Sequence, residues 1–204
     1  MNQPDFIAAK LFAVDRLHHS LSPVITYHSR THTLDEVVPA VDRMILEERV
    51  QDADEQLRLR TAALFHDLGY ADVHINHELV SARIAGEALP GFGYSPRHVE
   101  DIQAMIMATR LPQTPHGKLE EILADADLDV LGRQNFFDRN LDLRKEMEFL
   151  QQPVSDEVWY RSQIKFLQDH HYFTPSAHEL RNPGKQKNLL QLGHLLALAQ
   201  KADP

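Results

Sequence analysis

The residues in this chain whose types and spacing could do chemistry centre on TAALFHDLGY, residues 61–70. His66 and Asp67 stand side by side there at the end of an apolar helical run, with Gly69 just beyond as the expected helix stop. A neighbouring imidazole and carboxylate at a helix end can both bind one divalent cation. A lone His-Asp pair arises by chance, so its meaning depends on what lies before and after it. Upstream, YHSRTH carries His28 and His32. Downstream, ADADLDVLG carries Asp125, Asp127 and Asp129.

Helix geometry chooses among the three aspartates. At about 100° per residue, Leu119, Ile122, Leu123, Ala126, Leu128, Val130 and Leu131 cover a wide apolar arc. Asp127 lies within that arc, flanked by Leu123 and Leu131 at i−4 and i+4. Asp125 and Asp129 fall on the polar side and are expected to be solvated. An ionised carboxylate on an apolar face is costly unless it is paired or bound to metal, which singles out Asp127. His32, His66, Asp67 and Asp127 then offer two imidazoles and two carboxylates, a shell suited to an octahedral divalent ion with water in the open positions. A metal held there would lower the pKa of bound water and neutralise charge on a phosphoryl oxygen.

These side chains need helices to position them. Asp5 is placed to cap a first helix through about Leu17. Leu34, Val37, Val38, Val41 and Ile45 have helical spacing. Thr33 followed by Glu36 resembles a capping box, which starts that helix after His32; alternatively it starts at Ser29 and Pro39 kinks it. In either case His28 and His32 lie at a helix entrance and can point into a shared cavity. A helix from about Asp54 to Leu68 delivers His66 and Asp67. The loop YADVHIN leads into HELVSARIAGEAL, and His77, beside Glu78 at that helix start, is a candidate for substrate binding or a second metal; the plain alternative is a cap. Ser95-Pro96 starts a helix through Thr109. After KLEEILADADLDVLG come QNFFDRNLDLRKEMEFL, a loop at Pro153 and a helix capped by Ser155. A short helix opened by Thr174-Pro175 and a final run KNLLQLGHLLALAQ follow. No alternating strand pattern occurs, so the expected class is all-α.

Composition narrows the chemistry further. With no cysteine in the chain, disulfides, zinc ribbons and thiolate catalysis are excluded. Any metal must be held by His, Asp or Glu, which favours Mn, Mg, Ni, Fe or Zn. A net charge of −9 argues against broad nucleic-acid or anionic-membrane binding. No apolar run approaches the roughly 20 residues of a spanning helix, and the N-terminal stretch is not a signal peptide, so the cytoplasm is the expected location.

The order H…HD…D resembles the HD-domain metal-dependent phosphohydrolases, reading here as YHSRTH, ALFHDLGY and ADADLDVLG over about residues 20–135. A bacterial subgroup, the predicted metal-dependent HD phosphohydrolases, is the closer likeness. Its DADL-x-x-LG segment and a C-terminal part like WYRSQIKFLQDHHYFTPSAHELRNPGKQKNL extend the resemblance over nearly the whole chain. The resemblance implies a single domain over residues 1–204, with a core at about 20–135 and a helical extension at about 134–204. It also implies that His32, His66, Asp67 and Asp127 ligate a divalent metal. YHSRTH is similar to the entrance motif of cyclic-nucleotide phosphodiesterases as well, which implies that His28 protonates the leaving alkoxide. The chain departs from the alarmone hydrolases in having LGYAD after the HD pair, and from cyclic-di-GMP hydrolases in lacking their paired His and GYP signature.

The leading expectation is metal-dependent hydrolysis of a phosphoester in a nucleotide or other small phosphorylated metabolite, with Arg30, Arg110, Lys118 and Arg133 as candidate phosphate contacts. Two alternatives have other requirements. A di-iron oxygenase on the same fold needs further ligands, for which His77 and His98 are the sources. A non-catalytic binding module needs no reactive group beside its metal.

Overall fold

Helices account for most of the described residues, and no strand occurs among residues 3–150 and 153–202, which the computed structural model describes. The all-α class follows. Nine α-helices are defined among the described residues, the first six being α1 Phe6–His19, α2 Val38–Glu47, α3 Ala53–Phe65, α4 His77–Ala88, α5 Pro96–Ala108 and α6 Lys118–Asp127. The last three are α7 Phe136–Leu150, α8 Asp156–Asp169 and α9 Pro175–Ala202. Of the expected Pro153 loop, residues 151 and 152 lie outside the described residues. No helix among the described residues is long and apolar enough to cross a membrane.

The expected caps form. Asp5 accepts from the Ala8 amide at the start of α1, and Ser95 and His98 make a reciprocal capping box at α5. Helix α3 is the axis of the N-terminal bundle and packs against α1, α2, α4, α5 and α6. Every residue from 61 to 70 is buried, so the segment carrying His66 and Asp67 is apolar all round rather than along one stripe. Phe65, Met44, Leu59, Ile102, Met105 and Ile106 are among the fully enclosed side chains of this interior. A second, smaller interior gathers Leu128, Val130, Leu131, Phe136, Leu167 and Leu192, between the end of α6 and helices α7, α8 and α9.

Of three local features, the first decides between two expected helix starts and the other two differ from expectation. The helix after His28 starts near Ser29, whose carbonyl accepts from the Thr33 amide, and there is no capping box at Thr33. It runs through a π-helical stretch, His32–Val37, before α2. Pro39 has no N–H and its ring crowds the carbonyl four residues back, and the widened turn accommodates both. Secondly, α3 stops at Phe65 and Gly69 lies in a 3₁₀ turn, Leu68–Ala71, without a left-handed φ. Its lack of a side chain serves close packing: a Cβ would run into the His77 carbonyl and the Ser81 amide, and its own N–H donates to Ser81 Oγ at 2.8 Å. That contact seats the start of α4 beside Asp67. Thirdly, the two C-terminal helices are one, α9, with Pro183 inside it. Gly184 crosses Gly132 so tightly that a Cβ on either would meet backbone, and Asn188 Nδ2 donates to the Leu131 carbonyl at 2.9 Å. Packing at that crossing outweighs the helix bond lost to proline.

Candidate metal centre

The centre lies where α3 and α6 end and the π-helical stretch begins. His32, His66 and Asp127 each offer one atom, all within 4.8 Å of one another, a group that could hold a metal ion. His32 Nε2 is 3.0 Å from Asp127 Oδ1, and His66 Nε2 is 3.5 Å from the same oxygen. Asp67 joins them, with Oδ2 at 3.2 Å from His66 Nε2 and 3.7 Å from His32 Nε2. The four residues matched by the motif therefore converge.

The outer bonds of both histidines set which nitrogen faces in. His66 Nδ1 lies 2.8 Å from the Ala63 carbonyl, which can only accept, so Nδ1 carries the proton. His32 Nδ1 lies 3.3 Å from Glu36 Oε2 and is oriented in the same way. Both Nε2 lone pairs then converge on two carboxylate oxygens. His66 Nε2 and Asp67 Oδ2 are buried without a hydrogen-bond partner. Unpaired buried acceptors of this kind are costly unless a cation lies among them. The donor set fits a divalent ion, with Ala63 and Glu36 fixing the imidazoles from behind.

Electrostatics tell the same story. Burial acts to lower the His32 pKa, but Asp127 and Glu36 outweigh it and raise it to about 9. His66 is likewise raised, with Asp67 the main opposing influence against burial. Burial acts to raise Asp127, and His32 and His66 pull it well below the carboxylate range. This is a site of concentrated negative potential, suited to a cation whether proton or metal.

His77 reaches the centre from the start of α4, with Nε2 3.2 Å from Asp67 Oδ1, the oxygen that faces away from His66. His28 stands beside it, its ring 5.5 Å from that of His77 and 6.3 Å from that of His32, stacked on Tyr70 at 4.0 Å. Its Nδ1 is 2.5 Å from Glu146 Oε1, which leaves Nε2 free beside the cavity. Glu146 is fully buried in α7 and also accepts from the Tyr27 amide, the His28 amide and the Tyr70 hydroxyl. Burial acts to raise its pKa, but the His28 and Tyr70 bonds bring it below the usual value, so it stays ionised.

Several expectations are corrected. Asp125 and Asp129 are buried, not solvated. Asp125 accepts from the Phe173 and Thr174 amides and the Thr174 hydroxyl, tying α6 to the segment before α9. Asp129 is clamped by Arg43, Arg133 and Arg181. Of the suggested phosphate contacts, Arg133 is thus engaged, Arg110 bonds Asn76, Lys118 bonds the Glu48 carbonyl and Arg30 is exposed; none lines the cavity at the centre. His98 caps α5 and contacts Asp54 at the start of α3, so it is no ligand: twelve residues of helix, about 18 Å, separate Asp54 from His66. Helical periodicity missed Glu146, Arg139, Asn140 and Gln163, because each reads as an ordinary polar residue on an amphipathic helix.

The cavity above the centre measures about 410 Å³ and is walled by α6, α7 and α8. Fold and site together define an all-α protein with a buried His-Asp cluster at the floor of a largely apolar cavity. Among solved structures, the chain resembles one described as a predicted HD superfamily hydrolase from an uncultured Thermotogales bacterium. The TM-score is 0.63 over 92% of this chain and 91% of that one, at 17% identity. The likeness establishes the HD-type fold over nearly the whole chain. No family model and no curated protein matches.

Proposed function

We propose that the protein is a metal-dependent phosphohydrolase acting on a small phosphorylated metabolite such as a nucleotide. The observation that carries this reading is the pair of inward Nε2 lone pairs meeting the carboxylates of Asp67 and Asp127 at the floor of a substrate-sized cavity. A divalent ion held by His32, His66, Asp67 and Asp127 supplies an activated water and neutralises phosphoryl charge. His28 donates a proton from Nε2 to the leaving oxygen, and Glu146, bound to Nδ1, fixes its tautomer and supports the charge on its ring. Arg139 holds Glu36 at 3.1 Å, and Glu36 in turn orients His32. The apolar wall of α7 and α8 excludes bulk water from the reacting groups.

His77 has two roles that one measurement separates. About one metal per chain assigns it to the substrate's phosphoryl oxygens. Two assign it, with Asp67 Oδ1, to a second ion, and two irons with oxygen consumption support the oxygenase instead. The decisive experiment is elemental analysis of the purified protein, followed by a phosphoester panel with the metal found. Failure to cleave any member with Mn, Mg or Ni would overturn the hydrolase reading.

A further inference from the structure

The cavity walls have a feature that the metal centre does not require. Arg139 is the one lysine or arginine lining the cavity among the described residues. All three of its nitrogens are taken, by Glu36 at 3.1 Å, Asp142 at 2.9 Å and the Tyr27 carbonyl at 2.9 Å. An adjoining recess, bounded by Tyr70, His74 and Met147, has no lysine or arginine among the residues that line it. Glu78 also lines the main cavity, and its buried Oε2 has no partner. Phosphoryl groups beyond the first would therefore meet a carboxylate, no ammonium, and only a guanidinium whose charge is already paired with Glu36 and Asp142. Leu128, Val130, Leu131, Phe136, Leu143 and Phe166 make up most of the apolar wall on the side of the C-terminal helices.

One polar patch interrupts that wall, and its polarity is fixed by a chain of hydrogen bonds. Trp159 Nε1 can only donate, and it donates to Asn140 Oδ1 at 3.0 Å. Asn140 Nδ2 must then face Gln163, whose Oε1 accepts at 2.6 Å. Gln163 Nε2 is left with only a long contact to Ser162 at 3.5 Å. Because all three polar side chains line the cavity, the patch offers spare amide hydrogens and so favours an acceptor on the ligand.

We propose that the cavity selects a single phosphoryl group on an uncharged, largely apolar body bearing a hydrogen-bond acceptor for Gln163, and rejects di- and triphosphates. Nucleoside monophosphates fit this description, and simple aryl monophosphates meet all of it except the acceptor. The proposal rests on the phosphohydrolase reading for the reaction, though not for what the cavity binds.

Binding and turnover test it separately. Trp159 is the sole tryptophan of the chain and adjoins the patch, so its fluorescence reports occupancy. Titration of the metal-loaded protein should show phenylphosphonate binding at least about tenfold more tightly than methylenediphosphonate, with a change in Trp159 emission. Equal or tighter binding of the diphosphonate, or no binding of phenylphosphonate, overturns the proposal. In turnover, kcat/KM should fall at least about tenfold from uridine monophosphate to uridine triphosphate. Gln163→Leu should raise KM for uridine monophosphate several-fold more than for phenyl phosphate, a split that general loosening of the fold would not produce. If the phosphonate binds as expected and no ester is cleaved, the hydrolase reading falls while the cavity inference stands. If esters are cleaved with triphosphates preferred, the cavity inference falls and the hydrolase reading stands.

Discussion

The bundle α1–α6 and the layer α7–α9 make opposite contributions to one site. The bundle encloses its chemistry: His66 and Asp67 are buried at the end of a segment enclosed on every side, and His32 is buried beside them. The C-terminal layer lines the space above, and it supplies the buried side chains of Glu146, Arg139, Asn140 and Gln163. The end of α6 is the seam between them. Along it, Asp127 points to the metal ligands, while Asp125 and Asp129 hold Thr174 and Arg181 of the outer layer. On the proposed function, reactivity would reside where packing fixes the backbone, and selectivity where side chains bridge two layers.

Asparagine substitutions along that seam should pull the two contributions apart. Asp127→Asn removes a carboxylate from the metal shell and should lower turnover by about 10³-fold or more, with the fold retained. Asp125→Asn is expected to keep the metal and instead weaken the attachment of α9, costing about 2–4 kcal/mol because three donors lose an ionised acceptor. Metal content and denaturant unfolding read the two effects. Loss of metal from the Asp125 variant with unchanged stability would show that the division along α6 is wrong. Gly184→Ala should act like Asp125→Asn, since its Cβ would meet the Gly132 backbone.

How much of this was legible in the sequence follows the same division. Ligand spacing and the face of α6 carry their information locally, so His32, His66, Asp67 and Asp127 could be found from motif order and periodicity. Periodicity also erred within the same helix. It sees that Asp125 and Asp129 leave the apolar arc toward α2 and α5, but it cannot see that a second layer covers that side. The outer layer's own site residues were illegible for the same reason. Glu146 becomes informative only when α7 folds back over residues 27, 28 and 70, contacts separated by 76 to 119 positions. The two expected C-terminal helices read as separate because the tight crossing of Gly184 and Gly132, where α9 runs on past Pro183, is a tertiary fact.

Glu146→Gln offers a finer test of cooperation between the halves. The amide can still accept from the backbone of Tyr27, but it cannot support a charged His28 ring as a carboxylate does. Turnover should fall by about 10–100-fold with metal content unchanged. The defect should appear in kcat and shrink for esters whose leaving group needs no proton, such as a nitrophenyl phosphate. An equal defect for good and poor leaving groups would remove His28 from the role of proton donor.

The last prediction concerns pH and centres on a residue of the bundle, His32. In metal-stripped protein His32 titrates near 9, above its ordinary 6.5, because Asp127 and Glu36 outweigh its burial. A pKa raised by folding adds stability that is fully present below about 6.5 and is lost as pH rises toward 9. Metal binding needs the neutral imidazole, so its affinity rises through that same window, by about 1.4 kcal/mol per pH unit for each proton displaced. The difference in Tm between metal-loaded and metal-stripped protein should therefore widen from pH 6.5 to pH 9. Gly184→Ala should lower both melting temperatures but leave the widening intact, since His32 lies across the seam. A difference that stays flat with pH would mean that His32 does not ligate the metal, and a slope altered by Gly184→Ala would mean that the outer layer helps to build the centre it covers.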